Sequence, residues 1–289
     1  MMILIGAIIV LASVAGGFTM SGGNIGSLLH LSELLIIGGA AFGAMLVMAP
    51  RKVLMDLMKQ MLGAFRGSPY NRSAYEELFM ALYELFMLGR RNGMVAIEEH
   101  VLDPQTSPIF QRYPGFLRNS AAMDFVCNGL RPIIDGRIKP DQLRRLMSVE
   151  LHRMEDECHA PVGVLTRTAD AMPGFGIVAA VLGIVTTMQA IAGPIETIGM
   201  KVGAALVGTF LGIFLAYGFL APLAVNLEFI NATRLAYFRC ISECVAGFAT
   251  GVAPLMAIEF GRRSLSPELC PTADELEAML KNLGGAAKK

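Results

Sequence analysis

Lysine and arginine are absent from residues 1–50 and 168–200, whereas residues 51–167 hold sixteen of them and the tail beyond Asn226 holds seven. Inside and around the zones without basic residues lie four apolar runs, at about 2–20, 32–49, 172–192 and 202–225. Each is close to the roughly 20 residues that a helix needs to cross a hydrocarbon core. Hydrophobic residues make up 54% of the 289 and charged residues only 17%, against about half and a quarter in a soluble domain. The basic loop and basic tail therefore belong on the cytoplasmic side. Both termini are then inside, and the connections near 21–31 and 193–201 are short and external. The first run lacks the basic n-region of a cleavable signal peptide and is expected to be retained.

The formal net charge is zero, which argues against nucleic acid as the main partner. All five cysteines fall on the cytoplasmic side, where reduced thiols are expected. Cys240 and Cys244 are four apart on a helix and read as packing residues. The group His152, Glu155, Cys158 and His159 matches no standard zinc spacing, so no metal and no cofactor is expected.

Nothing in the loop or tail alternates with period two. The fold class is all-α: an integral membrane protein with four transmembrane helices and a helical cytoplasmic domain. The expected divisions are 1–50 for the first two spans, 51–168 for the cytoplasmic domain, 169–225 for the last two spans and 226–289 for a C-terminal helix and tail. Residues 51–66 put Val53, Leu54, Leu57, Met58, Met61, Leu62 and Phe65 on one helical stripe. Ser73 and Glu76 have the spacing of a capping box opening a helix that runs to Gly89. Asn92-Gly93 marks a turn, and a short helix follows near 94–101. A strong helix begins near 140 and can continue into the third span, with Pro161 as an interruption. The Gly- and Ala-rich last ten residues read as a frayed tail.

Spans three and four carry small residues at helical spacing: Gly176, Ala180, Gly183 and Thr187 on one, Ala205, Gly208, Gly212 and Ala216 on the other. Span two adds Gly38, Gly39, Ala40, Ala41 and Gly43. Lipid provides no hydrophobic drive for helix association, so close backbone approach through small residues holds such helices together. Helix packing is one reading of these faces, and lining a channel or gripping another helix is the other. Thr186, Thr187 and Thr209 either bond their own helix backbone or offer hydroxyls that relay protons. Storing a proton within the membrane needs a titratable group, and the deep interior of all four spans lacks one. Glu33 stands at the outer end of span two, and Glu196 is read as part of the outer loop. Pro173 and Pro222 lie at similar depth near the cytoplasmic ends of their spans. Each removes one helical hydrogen bond, freeing the carbonyls of Ala169 and Gly218.

The run Ala205-Leu206-Val207-Gly208-Thr209-Phe210-Leu211-Gly212-Ile213-Phe214, followed after seven residues by Pro222, resembles the signature of the MotA family of flagellar stator subunits. Met172-Pro173-Gly174-Phe175-Gly176-Ile177-Val178-Ala179-Ala180 is similar to the same family's third span. Arg90-Arg91-Asn92-Gly93-Met94 with Ile97-Glu98 resembles its rotor-facing stretch. The resemblance covers essentially the whole chain. It implies an ion-driven motor subunit of the bacterial cytoplasmic (inner) membrane, not an enzyme. Five such chains are expected around two MotB-type B subunits, each of which brings a membrane aspartate. Carried over, Thr209 and Ala180 sit near that aspartate with Tyr217 further in. Pro173 and Pro222 couple its protonation to movement, and Arg90 and Glu98 meet charges on the rotor switch-ring protein, FliG. Sodium-driven relatives place a threonine where this chain has Ala180, which favours protons here.

An energising subunit of the ExbB/TolQ type is the alternative within the superfamily, although such proteins usually have three spans. A secondary transporter would show an internal repeat or a buried charge at mid-membrane, and neither is found. No GxxxxGK[ST] phosphate loop occurs, so nucleotide hydrolysis is not the energy source.

Overall fold

A computed structural model describes residues 2–28, 30–189 and 191–286. Twelve α-helices occur among them: α1 (Met2–Met20), α2 (Leu31–Met48), α3 (Arg51–Ala64), α4 (Arg72–Asn92), α5 (Val95–Leu102), α6 (Pro114–Arg118), α7 (Ser120–Ile134), α8 (Pro140–Gln189), α9 (Ile195–Leu215), α10 (Ala221–Ala249), α11 (Pro254–Arg263) and α12 (Ala273–Ala286). There is no strand among the described residues, as the all-α expectation requires. Four helical stretches are long and apolar enough to span a membrane: Met2–Met20, Ile25–Met48, Pro140–Gln189 and Ile195–Ala249.

The chain forms two compact units, residues 2–67 with 157–231 and residues 68–156 with 232–286. The first contains the apolar spans and also α3, which the sequence divisions had grouped with the cytoplasmic loop. Helix α1 buries none of its residues against the rest of the chain. A helix that is apolar on every side but unburied must face lipid or other chains. On α3 only part of the expected stripe packs. Leu57 is buried with Val53, Leu54 and Met61 beside it, while Met58, Leu62 and Phe65 are exposed. Seven apolar residues make a stripe wider than the one contact surface available to the helix.

Helix α8 runs unbroken for 50 residues through Pro161 and Pro173, so Pro161 does not interrupt it. Neighbouring packing tolerates the missing hydrogen bond, and Pro161 itself is buried. Helix α9 starts earlier than the apolar run suggests, at Ile195. Glu196 therefore lies in its first turn instead of an outer loop, where a carboxylate suits the positive helix end.

The second unit is a soluble-type core. Helix α4 turns Tyr75, Leu78, Phe79, Leu82, Leu85 and Phe86 inward, all fully buried, and Phe86 stacks on Phe248 with ring centroids 4.2 Å apart. The cap of α4 is Asn71, whose Oδ1 accepts from the Ala74 N–H at 3.0 Å; Ser73 and Glu76 form no capping box. Glu76 instead pairs with Arg72 at 3.1 Å. A reciprocal box does open α12. There the Thr272 N–H donates to Glu275 at 2.8 Å and the Glu275 N–H to Thr272 Oγ1 at 3.2 Å. Helix α12 continues to Ala286, so the expected frayed tail is helical up to that point; residues 287–289 lie outside the described ones. Cys240 and Cys244 are buried and crowd Gly261 of α11, the packing role expected of them.

Candidate functional site

Helices α8 and α9 meet along a seam made almost entirely of backbone. A Cβ placed on Gly176 would lie 2.8 Å from the Gly208 carbonyl oxygen, 3.1 Å from the Gly212 Cα and 3.3 Å from the Thr209 Cα. One on Gly208 would meet the Ala179 Cβ at 3.1 Å and the Ala180 nitrogen at 3.3 Å. One on Gly183 would sit 2.8 Å from the Ala205 Cβ, and one on Gly212 would sit 2.7 Å from the Met172 carbonyl oxygen. Glycine is thus required at four positions, because the helices approach more closely than any side chain allows. Small residues on span two are used differently. Nothing lies within 4 Å of a Cβ at Gly38, Gly39 or Gly43, and only Ala41, with Ile37, joins the apolar cluster of Met172, Ala179, Leu211 and Ala216. The expected glycine face of span two is therefore open within a single chain.

The three threonines divide. Thr187 Oγ1 donates to the Gly183 carbonyl at 2.8 Å, and Thr186 Oγ1 donates to the same oxygen at 2.9 Å. Both hydroxyls are spent on their own helix, the ordinary behaviour of threonine in a helix. Thr209 is half-buried beside Gly176, and among the described residues its hydroxyl has no hydrogen-bond partner. Ala180 lies one helical turn beyond Gly176 on α8, with its nitrogen against Gly208, the residue before Thr209. Tyr217 is not brought to this place. It is exposed on a groove that faces α1, lined by Met2, Gly6, Ala7 and Val10 among others.

The end of the seam near Gln189 and Ile195 holds a residue that sequence reasoning left aside. Lys201 Nζ donates to the Thr186 carbonyl at 3.2 Å. That carbonyl is one of the last four of α8. A cation near a helix C-terminus is the signal that could have suggested this.

At the other end, Ala216–Leu220 form a π-helical turn between α9 and α10, and the Ala221 N–H donates to the Ala216 carbonyl five residues back. Pro222 has no N–H to offer the Gly218 carbonyl, and widening the turn is the helix's response. Sequence reading placed the defect correctly but not its form. Pro173 leaves no comparable break in α8.

In the second unit, Arg90 is exposed on the last turn of α4, and its Nη1 donates to the Gly251 carbonyl at 3.1 Å. Gly93 ends that helix with φ +85°, the left-handed conformation that favours glycine. Glu98 follows, half-buried in the first turn of α5. Arg90 and Glu98 are not ion-paired to each other. Next to Arg90, Arg91 lines an open cavity of about 420 Å³ together with Tyr83, Met87, His100, Ile109 and Arg112.

A family model described as motility protein A N-terminal matches residues 4–93, and one described as the MotA/TolQ/ExbB proton channel family matches residues 118–236. Motility protein A of Salmonella typhimurium is 38% identical over 277 residues, covering 96% of this chain and 94% of that protein. The chain belongs to the MotA family. Chemotaxis protein LafT of Vibrio parahaemolyticus is 34% identical over 281 residues, covering 97% and 99%. Among solved structures, the MotAB stator complex of Bacillus subtilis is similar with a TM-score of 0.73 at 25% identity, covering 95% of this chain and 98% of that one. The structure of C. jejuni MotAB gives 0.76 at 21% identity, covering 92% and 96%, a likeness of fold. This MotA-family chain is a flagellar motor stator subunit of the proton channel family, and its apolar helices make it an inner-membrane protein.

Proposed function

We propose that this stator subunit conducts protons inward together with a MotB-type B subunit and turns the flow into torque on the rotor. The observation that carries this reading is the uncommitted hydroxyl of Thr209. It lies at a glycine seam within spans that have no acid at depth. A hydroxyl relays a proton but cannot store one, so the storing carboxylate comes from a neighbouring chain. Both solved relatives are MotAB assemblies, which supports such a partner.

In this reading Thr209 and Ala180 face the borrowed aspartate. A dehydrated sodium ion needs several oxygen ligands, and Ala180 offers no side-chain oxygen, whereas a proton needs only hydroxyls and water. Thr186 and Thr187 form the outer wall of the path through backbone-bonded hydroxyls, and Tyr217 lies outside it. Moving one charge through 100 mV yields about 2.3 kcal/mol, comparable with a helix-packing step. Protonation shifts the α8–α9 seam of Gly176, Gly183, Gly208 and Gly212. Pro173 and the π turn at Pro222 carry that shift towards the cytoplasmic end. Arg90 and Glu98 deliver it to FliG. Five copies around two B subunits, with both termini cytoplasmic, fit the sequence resemblance and the basic loop and tail.

The N-terminal family match at residues 4–93 and relatives named as motility proteins favour a stator over an ExbB/TolQ-like energiser. The test is proton uptake into vesicles. The chain alone is expected to leak almost nothing, and adding the B subunit is expected to restore conduction. Robust conduction by this chain alone would overturn the borrowed-carboxylate reading.

A further inference from the structure

The α8–α9 seam does not end on a small residue. Along α9 the residues that meet α8 recur at steps of four and three, Gly212, Gly208 and Ala205, and one further step of four reaches Lys201. Residues at these steps share one face of a helix. Their partners on α8 run the opposite way. Gly176 meets Gly212 and Gly208, Gly183 meets Ala205, and the Thr186 carbonyl accepts a hydrogen bond from Lys201 Nζ at 3.2 Å. Lys201 is thus the last contact of the stripe and its one long side chain. It is half-buried and stands nearly two turns inside Ile195–Ala249, a stretch apolar enough to span a membrane. Between Asp170 and Glu228 the chain has only two acidic or basic residues, Glu196 and Lys201. Their spacing does not bring them face to face on α9, and among the described residues Lys201 has no ion pair.

We propose that Lys201 is a specificity-determining residue, a tethered cation that keeps metal cations off this end of the seam and leaves it to protons. The inference rests on the reading that Thr186 and Thr187 wall the proton path. An ionisable side chain within a span is costly to keep and marks an ion pathway. A sodium ion entering there must trade part of its water shell for protein oxygens, as ions do at the carbonyls of a selectivity filter. The Thr186 carbonyl is one such oxygen, and Lys201 already holds it. The charge adds a second barrier, of the kind that basic side chains raise against cations in pores. At about 5 Å in water, a unit charge lowers the local concentration of a monovalent cation about fourfold. A proton escapes the first barrier, because it hops between waters and hydroxyls and needs no carbonyl ligand. A lysine that merely capped α8 would change how firmly the two helices are held, not which ion passes.

Vesicles holding the whole complex with its B subunit and a pH-sensitive dye, given a pH step, test this. Sodium chloride replaces choline chloride on both sides at constant total salt. Rates are compared within each preparation, so the readout does not depend on how much complex assembles. Lys201→Gln keeps a donor for the Thr186 carbonyl but no charge. The sodium concentration that halves its proton uptake is expected to lie at least about fourfold below that of the unmodified complex. Lys201→Arg keeps the charge and is expected to match the unmodified complex. An unshifted sodium dependence in Lys201→Gln would overturn the proposal, and so would a shift as large in Lys201→Arg. Where the unmodified complex takes up protons in choline, either result removes this inference alone. Absence of proton uptake by the unmodified complex in choline removes the proton reading, and this inference with it.

Discussion

Gly212 and Gly176 face one another so closely that a Cβ on Gly212 would lie 2.8 Å from the Gly176 Cα. No rotamer relieves such a contact, because the obstacle is backbone on both sides. The seam between α8 and α9 therefore tolerates no added atom at this level.

Gly212→Ala is accordingly expected to cost about 1–3 kcal/mol through overpacking and to abolish swimming. Gly43→Ala, where nothing stands within 4 Å, is expected to swim normally. Thermal melts of the purified complexes and swarm-plate diameters read both outcomes. Equal tolerance at the two positions would show that the seam is not constrained.

Thr209 and Thr187 should respond differently to the same change. Thr209→Val removes an uncommitted hydroxyl and is expected to lower proton flux at least tenfold, with Thr209→Ser recovering most of it. Thr187→Val removes a bond to the Gly183 carbonyl and is expected to leave flux within about twofold, with a stability loss near 1 kcal/mol. A pH-sensitive dye in vesicles measures the flux. If Thr209→Val conducts normally, the relay role is wrong.

Arg90→Glu is expected to stop swimming, and reversal of an acidic residue on the rotor is expected to restore part of it. Because Arg90 also tethers the Gly251 carbonyl, Arg90→Gln serves as the control for the lost tether. Its stability change is expected within about 0.5 kcal/mol, as for an exposed surface position. Failure of every rotor reversal to restore swimming would leave the tether as the residue's only role.

The pair Glu259–Arg262 gives a pH signature outside the membrane. Arg262 Nε and Nη2 donate to the Glu259 carboxylate at 2.6 and 2.7 Å, and Arg263 Nε donates at 2.8 Å. The Arg262 hydrogen bonds, aided by Arg263 and opposed by burial, hold the Glu259 carboxyl at about 2. A depressed carboxylate contributes stability that is fully present above its unfolded value near 4.3. That contribution is lost as pH falls through about 2. Glu259→Gln is therefore expected to destabilise by about 2 kcal/mol at neutral pH. The gap between variant and parent should narrow from pH 4.5 downward, and denaturant melts across that range measure it.

Periodicity and charge were enough to place α1, α2 and the two long spanning helices, because bilayer thickness and unpaired backbone groups impose rules on any single segment. Local chemistry was read less well. Asn71 and Ser73 are equally good caps by residue type, and only the backbone path selected Asn71. Thr272 and Glu275 carry the same spacing as Ser73 and Glu76, and there the backbone path does close the box. Met58 and Leu62 look like core from their spacing, yet a helix buries only the side that meets a neighbour.

The same division runs through the candidate site. The amino-acid order alone determined that this chain crosses a membrane, that its spans carry no acid at depth, and that small residues line three of them. Only the folded arrangement decided which glycines touch, that Thr186 and Thr187 are bonded to their own helix while Thr209 is not, and that Pro222 opens a π turn. Membrane crossing follows from each segment's own transfer from water to lipid. A seam and a free hydroxyl depend on where a second helix lies, and no single segment contains that information.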